Sequence, residues 1–435
     1  KSELIGRVLT DYPSLHVRMP PLPDSSLRRH LSRQARNDAE NAGDRDDSAP
    51  GSWEALFDRV LTGLPHSERP FVVCLDDAGR LTEARSRYLA PLTAAQRRLR
   101  EMGTIVHVVL VGSRAELPDD DRLTAETGDL SHPVVEVGPL PLRAAAPHLP
   151  GSTPADKIRA YGVFGGIPAV LAQLDPTVTV GTNVRRLALN PDGPLASGGL
   201  DWLERDVQSP ARYAAIVAAL SRGETDWNQV HAGVPDLSKS GQVAPYLKRL
   251  TELGLVRARQ SLDAPPRSRG TRYSLTDPFI AFWFRFILPW RYGSGVDAAG
   301  RHYAQEIRPR IDDHLTTVFP AMCRQHLRHD ALASLGAAPR EEGSLWGQGV
   351  EIEAAGILTS GAAYYGVCRW KGRARDDEPL TELEENIRET RYGFGRARRI
   401  RLVFTGRPAP RRLHRDIARH ADAQLIDASA LAGEQ

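Results

Sequence analysis

Changes in the period of apolar and polar positions mark out the elements of this chain. Leu4, Ile5, Val8 and Leu9 recur at helical spacing and predict a helix over Glu3 to Thr10, after which Leu15 to Met19 reads as a short strand. Arg28 to Gly51 is rich in Asp, Asn and Arg and nearly devoid of large apolar residues, so it is expected to be a mobile insertion. Helical periodicity returns at Trp53 to Leu61. Phe71-Val72-Val73-Cys74-Leu75 then forms an unbroken apolar run closed by Asp76 and Asp77, the pattern of a parallel strand buried on both faces that delivers acids at its C-terminal end. A second run, Ile105 to Val111, ends in Gly112-Ser113-Arg114 and reads as the neighbouring strand. Past an acidic loop over Pro118 to Thr127, Val134-Val135-Glu136-Val137 reads as the last strand of that sheet.

Beyond this first block the periodicity is helical from Thr153 to Val207. It is broken by Gly165-Gly166-Ile167-Pro168, where two glycines and a proline enforce a kinked junction, and by the Gly/Pro-rich Asn190 to Gly199. A small helical subdomain after an α/β sheet suggests a lid. From Pro210 to Leu275 the pattern spells a winged helix-turn-helix: helices at Tyr213 to Ser221, Asp226 to His231 and Gln242 to Leu253, then two short strands around a basic loop. Lys239, Gln242, Lys248 and Arg249 on or beside the last helix, and Arg267, Arg269 and Arg272 in the loop, are placed to meet DNA; interdomain contact is the open alternative. Pro245 costs that helix a hydrogen bond unless it lies in the first turn.

Composition changes this picture little. The chain has 435 residues, enough for two to four domains, with 41% hydrophobic and 26% charged residues and a net charge of only +3. Lys occupies five positions, leaving 52 arginines among the 57 basic residues, which reads as a coding bias rather than a nucleic-acid signature. Cys74, Cys323 and Cys368 are far apart and form no zinc or disulfide framework. The most apolar stretch, Pro278 to Trp290, is too short to span a bilayer and contains Arg285, so a cytoplasmic protein without membrane contact is expected.

The candidate chemistry lies in the first block. Lys1-Ser2 fits the last two positions of the phosphate-binding pattern G-x-x-x-x-G-K-[ST], so the chain is expected to be truncated at its N-terminus, within the glycine-rich loop. In such sites Lys holds phosphates, the hydroxyl reaches Mg2+, and the acid ending the next strand completes the metal shell. Asp76 takes the metal position and Asp77 the water-polarising one; a strand followed by an Asp-rich turn is the alternative for the segment alone.

Lys1-Ser2-Glu3-Leu4-Ile5, the Trp53-Glu54 helix start, Asp76-Asp77, Gly112-Ser113, Tyr161 to Pro168 and Asp277-Pro278-Phe279-Ile280-Ala281-Phe282-Trp283-Phe284-Arg285-Phe286 together resemble the archaeal-type P-loop ATPases of the AAA+/STAND-like group. Those proteins carry a winged helix and a C-terminal restriction-endonuclease-like domain of unassigned function. The resemblance implies an α/β multidomain chain: a P-loop NTPase parallel-sheet core (1–150), a helical lid (151–207), a winged helix (208–276), a connector (277–312) and a nuclease-like α/β domain (313–435). It implies that Lys1 binds the β/γ-phosphates of ATP, Ser2 and Asp76 hold Mg2+, Asp77 assists hydrolysis and Ser113 is the sensor. Asp77 stands where the family usually has Glu, and the Tyr-Gly-Arg common after the sensor is missing.

In the nuclease-like part, the resemblance places Glu353 at the position of the first metal-binding acid, Val367 where a second acid is needed and Arg369 where Lys is needed; Pro320 replaces an upstream Glu. One carboxylate cannot build such a metal site, and Arg does not replace a Lys that orients water, so the nuclease is expected to be inactive. The basic tract Arg391 to Arg415 suits a phosphate backbone or is simply a solvated face. The expected function is ATP binding with slow, regulatory Mg2+-dependent hydrolysis, possible DNA contact through the winged helix, and a homo-oligomeric or protein partner. The alternative is a DNA-binding regulator in which nucleotide is structural.

Overall fold

The computed structural model describes residues 2–20, 22–38, 50–62, 69–78, 85–112, 133–207, 209–234, 240–265, 268, 270–291, 299–371 and 379–433. The chain divides into two compact units, Lys1–Val137 and Gly138–Gln435.

The first unit is a three-stranded parallel sheet with helices on both faces. Its elements run α1 (Ser2–Leu9), β1 (Ser14–Arg18), α2 (Asp24–Asp38), α3 (Trp53–Thr62), β2 (Phe71–Asp76), α4 (Arg85–Glu101) and β3 (Val106–Leu110), with strand order β1-β2-β3. Ser14 to Arg18 pair in register with Val72 to Asp76, and Phe71 to Leu75 with Val106 to Leu110. Every residue of β2 is buried, because alternate side chains serve two different cores. Val73 and Leu75 join Leu15, Val17 and Val106 against α2, α3 and α4, while Val72 and Cys74 pack with Val111 and Leu9 on the α1 side. Each fully buried aliphatic side chain of this kind contributes about 1.5–3 kcal/mol.

Two expectations are corrected here. The stretch from Arg28 is helical as far as Asp38: Leu27, Leu31 and Ala35 form one apolar stripe on α2, and Asp24 at its start pairs with Arg28 and accepts from Trp53 Nε1 (2.8 Å). An overall polar composition hid a stripe of i, i+4 spacing. Val134 to Val137 is not a strand; Val134 and Val135 are 71% and 81% exposed. Their β-branched side chains favour extended backbone but meet no partner strand among the described residues.

The second unit begins with short helical turns leading to α5 (Pro154–Phe164), whose start is capped by the Thr153 hydroxyl accepting from Asp156 N. Gly165 follows at φ 64°, a left-handed conformation, and Gly166 N donates to Asp277 while its carbonyl accepts from Leu140 N. Helices α6 (Val180–Val184) and α7 (Gly198–Asp206) complete the helical stretch, with a π-helical turn at Arg185–Leu189.

A compact antiparallel module comes next: α8 (Pro210–Leu220), β4 (Thr225–Asp226), α9 (Trp227–Ala232), α10 (Ala244–Glu252), β5 (Val256–Arg259) and β6 (Arg272–Leu275), with strand order β4-β6-β5. Asp226 and Gln229 form a reciprocal capping box at the start of α9. Pro245 lies in the first turn of α10, where its missing N–H costs nothing. Ile216, Val217, Leu220, Val230, Leu247, Leu250 and Val256 form the core of this module.

Asp277 then caps α11 (Pro278–Phe282), accepting from Phe279 N (2.8 Å), and a π-helical turn follows at Trp283–Ile287. Asp277 also accepts from Gly166 N (3.4 Å), and a Cβ on Gly165 would stand 2.4 Å from its Oδ1. The two most distinctive sequence motifs therefore meet at one buried carboxylate. Burial lifts Asp277 to about 6 despite the backbone N–H groups that favour its charge. His314, buried beside Phe282 and Phe286 with Nε2 2.8 Å from Gly162 O, is lowered to about 4 by the same cause.

The chain ends in a five-stranded mixed sheet. The 25-residue helix α12 (Ile311–Leu335) precedes β7 (Pro339–Gly347), β8 (Val350–Leu358), β9 (Ala363–Arg369), α13 (Pro379–Glu389), β10 (Arg399–Thr405), α14 (Arg411–Ala418) and β11 (Ala423–Ile426). Strand order is β11-β10-β9-β8-β7, with β7, β8 and β9 antiparallel and β9, β10 and β11 parallel. Phe319, Met322 and Cys323 of α12 cover one face; Leu380, Leu383, Leu413 and Ile417 cover the other.

Candidate functional site

In the first unit the acid pair lies at the C-terminal edge of the central strand, where open parallel sheets place their ligands. Asp76 is 3% exposed, its Oδ1 accepts from Asp77 N (3.0 Å), and its backbone carbonyl accepts from Met19 N (2.8 Å), which pins the end of β1 beside it. His16 Nε2, buried and without a hydrogen-bond partner, lies 3.8 Å from Asp76 Oδ2. Asp77 adopts φ 57°, a left-handed conformation that Asp tolerates better than most residues, and its Oδ2 accepts from Arg18 Nε at 2.9 Å. That contact, more than the charge itself, raises the already high Arg18 pKa. Burial, reinforced by the Asp76 charge, pushes the Cys74 thiol up to about 12, so Cys74 is a packing residue and not a nucleophile.

Helix α1 packs on one face of the same sheet. The segment after it reaches the N-terminal end of the sheet, where Val72 N donates to Pro13 O and Arg69 Nη1 donates to Asp11 O (3.0 Å). Ile5 and Leu9 of the helix pack with Val72, Cys74 and Val111 on that face of the sheet. Lys1 and Ser113 lie outside the described residues, and of Ser2 only the helical backbone is described. A buried hard carboxylate beside a nitrogen with unmet hydrogen bonding suits a hydrated Mg2+. Arg18 and His16 had no motif to announce them; their positions follow only from the register of β1 with β2.

Of the residues expected to meet DNA, Lys239, Arg267 and Arg269 lie outside the described residues. Gln242 is exposed in a 3-10 turn leading into α10, and the Lys248 side chain is 80% exposed. Lys248 and Arg249 both approach Glu252 of the same helix, at 4.0 and 3.6 Å. Arg272 is held quite differently. Its guanidinium grips Glu351 of β8 with two parallel hydrogen bonds (2.7 and 2.9 Å) and lies 4.8 Å from the Trp346 ring centroid. Leu262 N donates to Ser344 O and Trp346 Nε1 to Gly270 O, so the loop between β5 and β6 is seated on β7. Arg272 is thus committed within the protein.

In the five-stranded sheet, Glu353 and Arg369 are neighbours. Arg369 Nη1 donates to Glu353 Oε1 (3.3 Å), and its other terminal nitrogen pairs with Glu382 of α13. Extending the Ala354↔Gly366 register by one residue sets Glu353 across from Val367, which is buried in the apolar cluster beneath α13. Glu353 Oε2 is buried without a partner; burial raises the Glu353 pKa, with Arg369 opposing. Among the described residues no group of three or more His, Cys, Asp or Glu side chains is assembled to hold a metal. No helix among them is long and apolar enough to cross a membrane.

Comparison with known proteins places four findings beside this geometry. Residues 283–380 match the model of the DUF234 family, described as "Archaea bacterial proteins of unknown function". An uncharacterized protein of Methanocaldococcus jannaschii is 23% identical over 226 residues, which is 51% of this chain and 49% of that protein; the chain spans about half the length of this curated relative. Among solved structures, the Walker-type ATPase of Pyrococcus abyssi is similar with a TM-score of 0.47 at 16% identity, over 65% of this chain and 87% of that one. The Orc2 protein of Aeropyrum pernix, solved in ADPNP–ADP complexes, gives a TM-score of 0.34 at 12% identity over 70% and 82% of the two chains.

Proposed function

We propose that this chain is an ATP-binding protein whose nucleotide site lies at the C-terminal edge of the β1-β2-β3 sheet. One observation carries the reading: the buried Asp76 ends the central parallel strand at the C-terminal edge of the sheet, where open parallel sheets take their ligands. In this assignment Lys1 contacts the β/γ-phosphates, Ser2 and Asp76 hold Mg2+, and Ser113 is the sensor. Mg2+ when bound neutralises phosphate charge. Asp77, short by one methylene and already engaged by Arg18, is a weak orienter of water, so hydrolysis is slow and regulatory. The domain plan is a core over 1–150, of which the part from Gly138 on packs with the second unit, a lid over 151–207, a winged helix over 208–276, a connector over 277–312 and an inactive nuclease-like domain over 313–435. Calorimetric titration with ATP, with and without Mg2+, tests it. Asp76→Asn is expected to remove the Mg2+-dependent part of the affinity, at least about tenfold or 1.4 kcal/mol; equal Mg2+-dependent binding by both proteins refutes the site.

A second reading, DNA binding by the antiparallel module with nucleotide in a structural role, is favoured by the solvent-facing Lys248 and Gln242 on and beside α10. In that reading the α10 face carries the contact, because Arg272 is occupied by Glu351. A gel shift whose salt dependence weakens in Lys248→Ala, with no response to ATP, supports this reading over the first.

A further inference from the structure

The loop between α13 and β10 reads Arg391-Tyr392-Gly393-Phe394-Gly395-Arg396-Ala397-Arg398-Arg399, and it is both rigidly based and open at its tip. Its base is fixed from several directions. Tyr365 Oη donates to Tyr392 O (2.6 Å), Tyr392 N donates to Thr390 Oγ1 (3.1 Å), Tyr392 Oη donates to Glu341 Oε2 (3.1 Å), and Ala363 N donates to Arg398 O (3.0 Å). Gly393 sits at φ 68° against Tyr365, where a Cβ would stand 2.4 Å from the phenol oxygen, so only glycine lets the chain turn there. Gly395 follows at φ 79°. Between these two left-handed residues the backbone lifts Phe394 into solvent, 81% exposed.

A benzene ring so exposed does nothing for the fold, and the charges around it are equally unspent. Arg391, Arg396 and Arg398 are exposed, and among the described residues neither they nor Arg399 form an ion pair. Several other arginines of the same domain are neutralised: Arg369 by Glu353 and Glu382, Arg401 by Glu384 and Asp422, Arg407 by Asp312. The Arg399 guanidinium carbon lies 5.8 Å from the Phe394 ring centroid.

We propose that this loop is a binding site for single-stranded nucleic acid, with Phe394 stacking on an unpaired base and Arg391, Arg396 and Arg398 meeting the flanking phosphates. An exposed aromatic ring set among uncompensated cations is the pairing that grips unpaired strands. A duplex keeps its bases stacked inside and leaves the ring idle. An acidic peptide satisfies only the cations. A membrane surface demands more apolar area than one ring flanked by Gly393, Gly395 and Ala397. The inference is independent of the nucleotide site, since every group it uses lies in the C-terminal sheet domain.

Fluorescence anisotropy with a labelled single strand of about 12 nucleotides, on the full chain, tests it; one strand per several-nucleotide site is the usual scale. Phe394→Ala is expected to weaken binding by roughly 5- to 150-fold, the worth of one stacked base, with the salt dependence unchanged. The Arg396→Ala/Arg398→Ala double variant is expected to flatten the slope of log affinity against log salt by about 1.4, two phosphate contacts at about 0.7 each. Thermal melts of all three proteins are expected to coincide, because none of the replaced side chains is packed. Wild-type affinity in Phe394→Ala overturns the proposal. So does equal affinity for a duplex of the same length, or binding to phosphatidylserine vesicles in place of the oligonucleotide.

Discussion

Two sheets in this molecule each present an acid, and their surroundings set them apart. Asp76 ends a parallel strand, is nearly inaccessible, and faces a histidine nitrogen with no partner, while its neighbour Asp77 leans outward to an exposed arginine. Glu353 sits within an antiparallel pair, and the arginine on the adjacent strand already occupies it. An acid on a strand is therefore no evidence of a metal by itself. What sets Glu353 apart is that one of its oxygens already faces a fixed cation that no proton loss can remove.

That contrast is most sharply broken at Arg369. Arg369→Ala leaves the partly buried Glu353 without its countercharge and is expected to cost about 1–3 kcal/mol in urea unfolding at neutral pH. The loss shrinks in acid, because Glu353 has a raised pKa and takes up a proton in the folded state before it does so in the unfolded chain. A loss that stays constant with pH would show that Arg369 acts through packing alone.

Asp277, a third acid, separates burial from pairing, since it is buried and bonded only to backbone N–H groups. Its folded pKa of about 6 exceeds the unfolded value of 3.8, so the folded state binds its proton first, and this group favours folding progressively as pH falls from above 6 toward 4. His314 works in the opposite sense over nearly the same range. Held down to about 4, it stays neutral in the fold while the unfolded chain gains a proton below 6.5. Asp277→Asn is accordingly expected to lose melting temperature more steeply than the wild type between pH 7 and pH 4.5, by a few degrees at the acid end. Parallel pH profiles would remove the assignment.

The smallest effect is expected at Arg18. Its side chain is 74% exposed, so Arg18→Ala should leave the melting temperature unchanged. If nucleotide hydrolysis is held back by this contact, the variant turns over ATP faster than the wild type; a slower variant would mean that Arg18 serves the reaction instead.

Much of the first sheet was legible because β2 and β3 are apolar runs and α1 has helical apolar spacing, although only Ile5 and Leu9 of that stripe pack on the sheet while Leu4 and Val8 stay exposed. The acid pair was legible for the same reason, since the run ends where the charges begin. Illegible were the features that depend on partners far along the chain. Nothing local told Val134 that no strand among the described residues pairs with it, and α2 was concealed because Leu27, Leu31 and Ala35 are few among many polar neighbours. The two most distinctive motifs were visible as words, but that Gly165 and Asp277 touch is a fact of tertiary structure, 112 residues apart in number by subtraction (277 − 165). Likewise Arg272 reads as a free basic residue until β8 supplies Glu351.

The seating of the β5–β6 loop on β7 has a mechanical consequence. Paired guanidinium and carboxylate, a stacked indole and a main-chain bond together weld the antiparallel module to the terminal sheet at that corner, so torque applied to α10 is handed on to the strands instead of being dissipated at the joint.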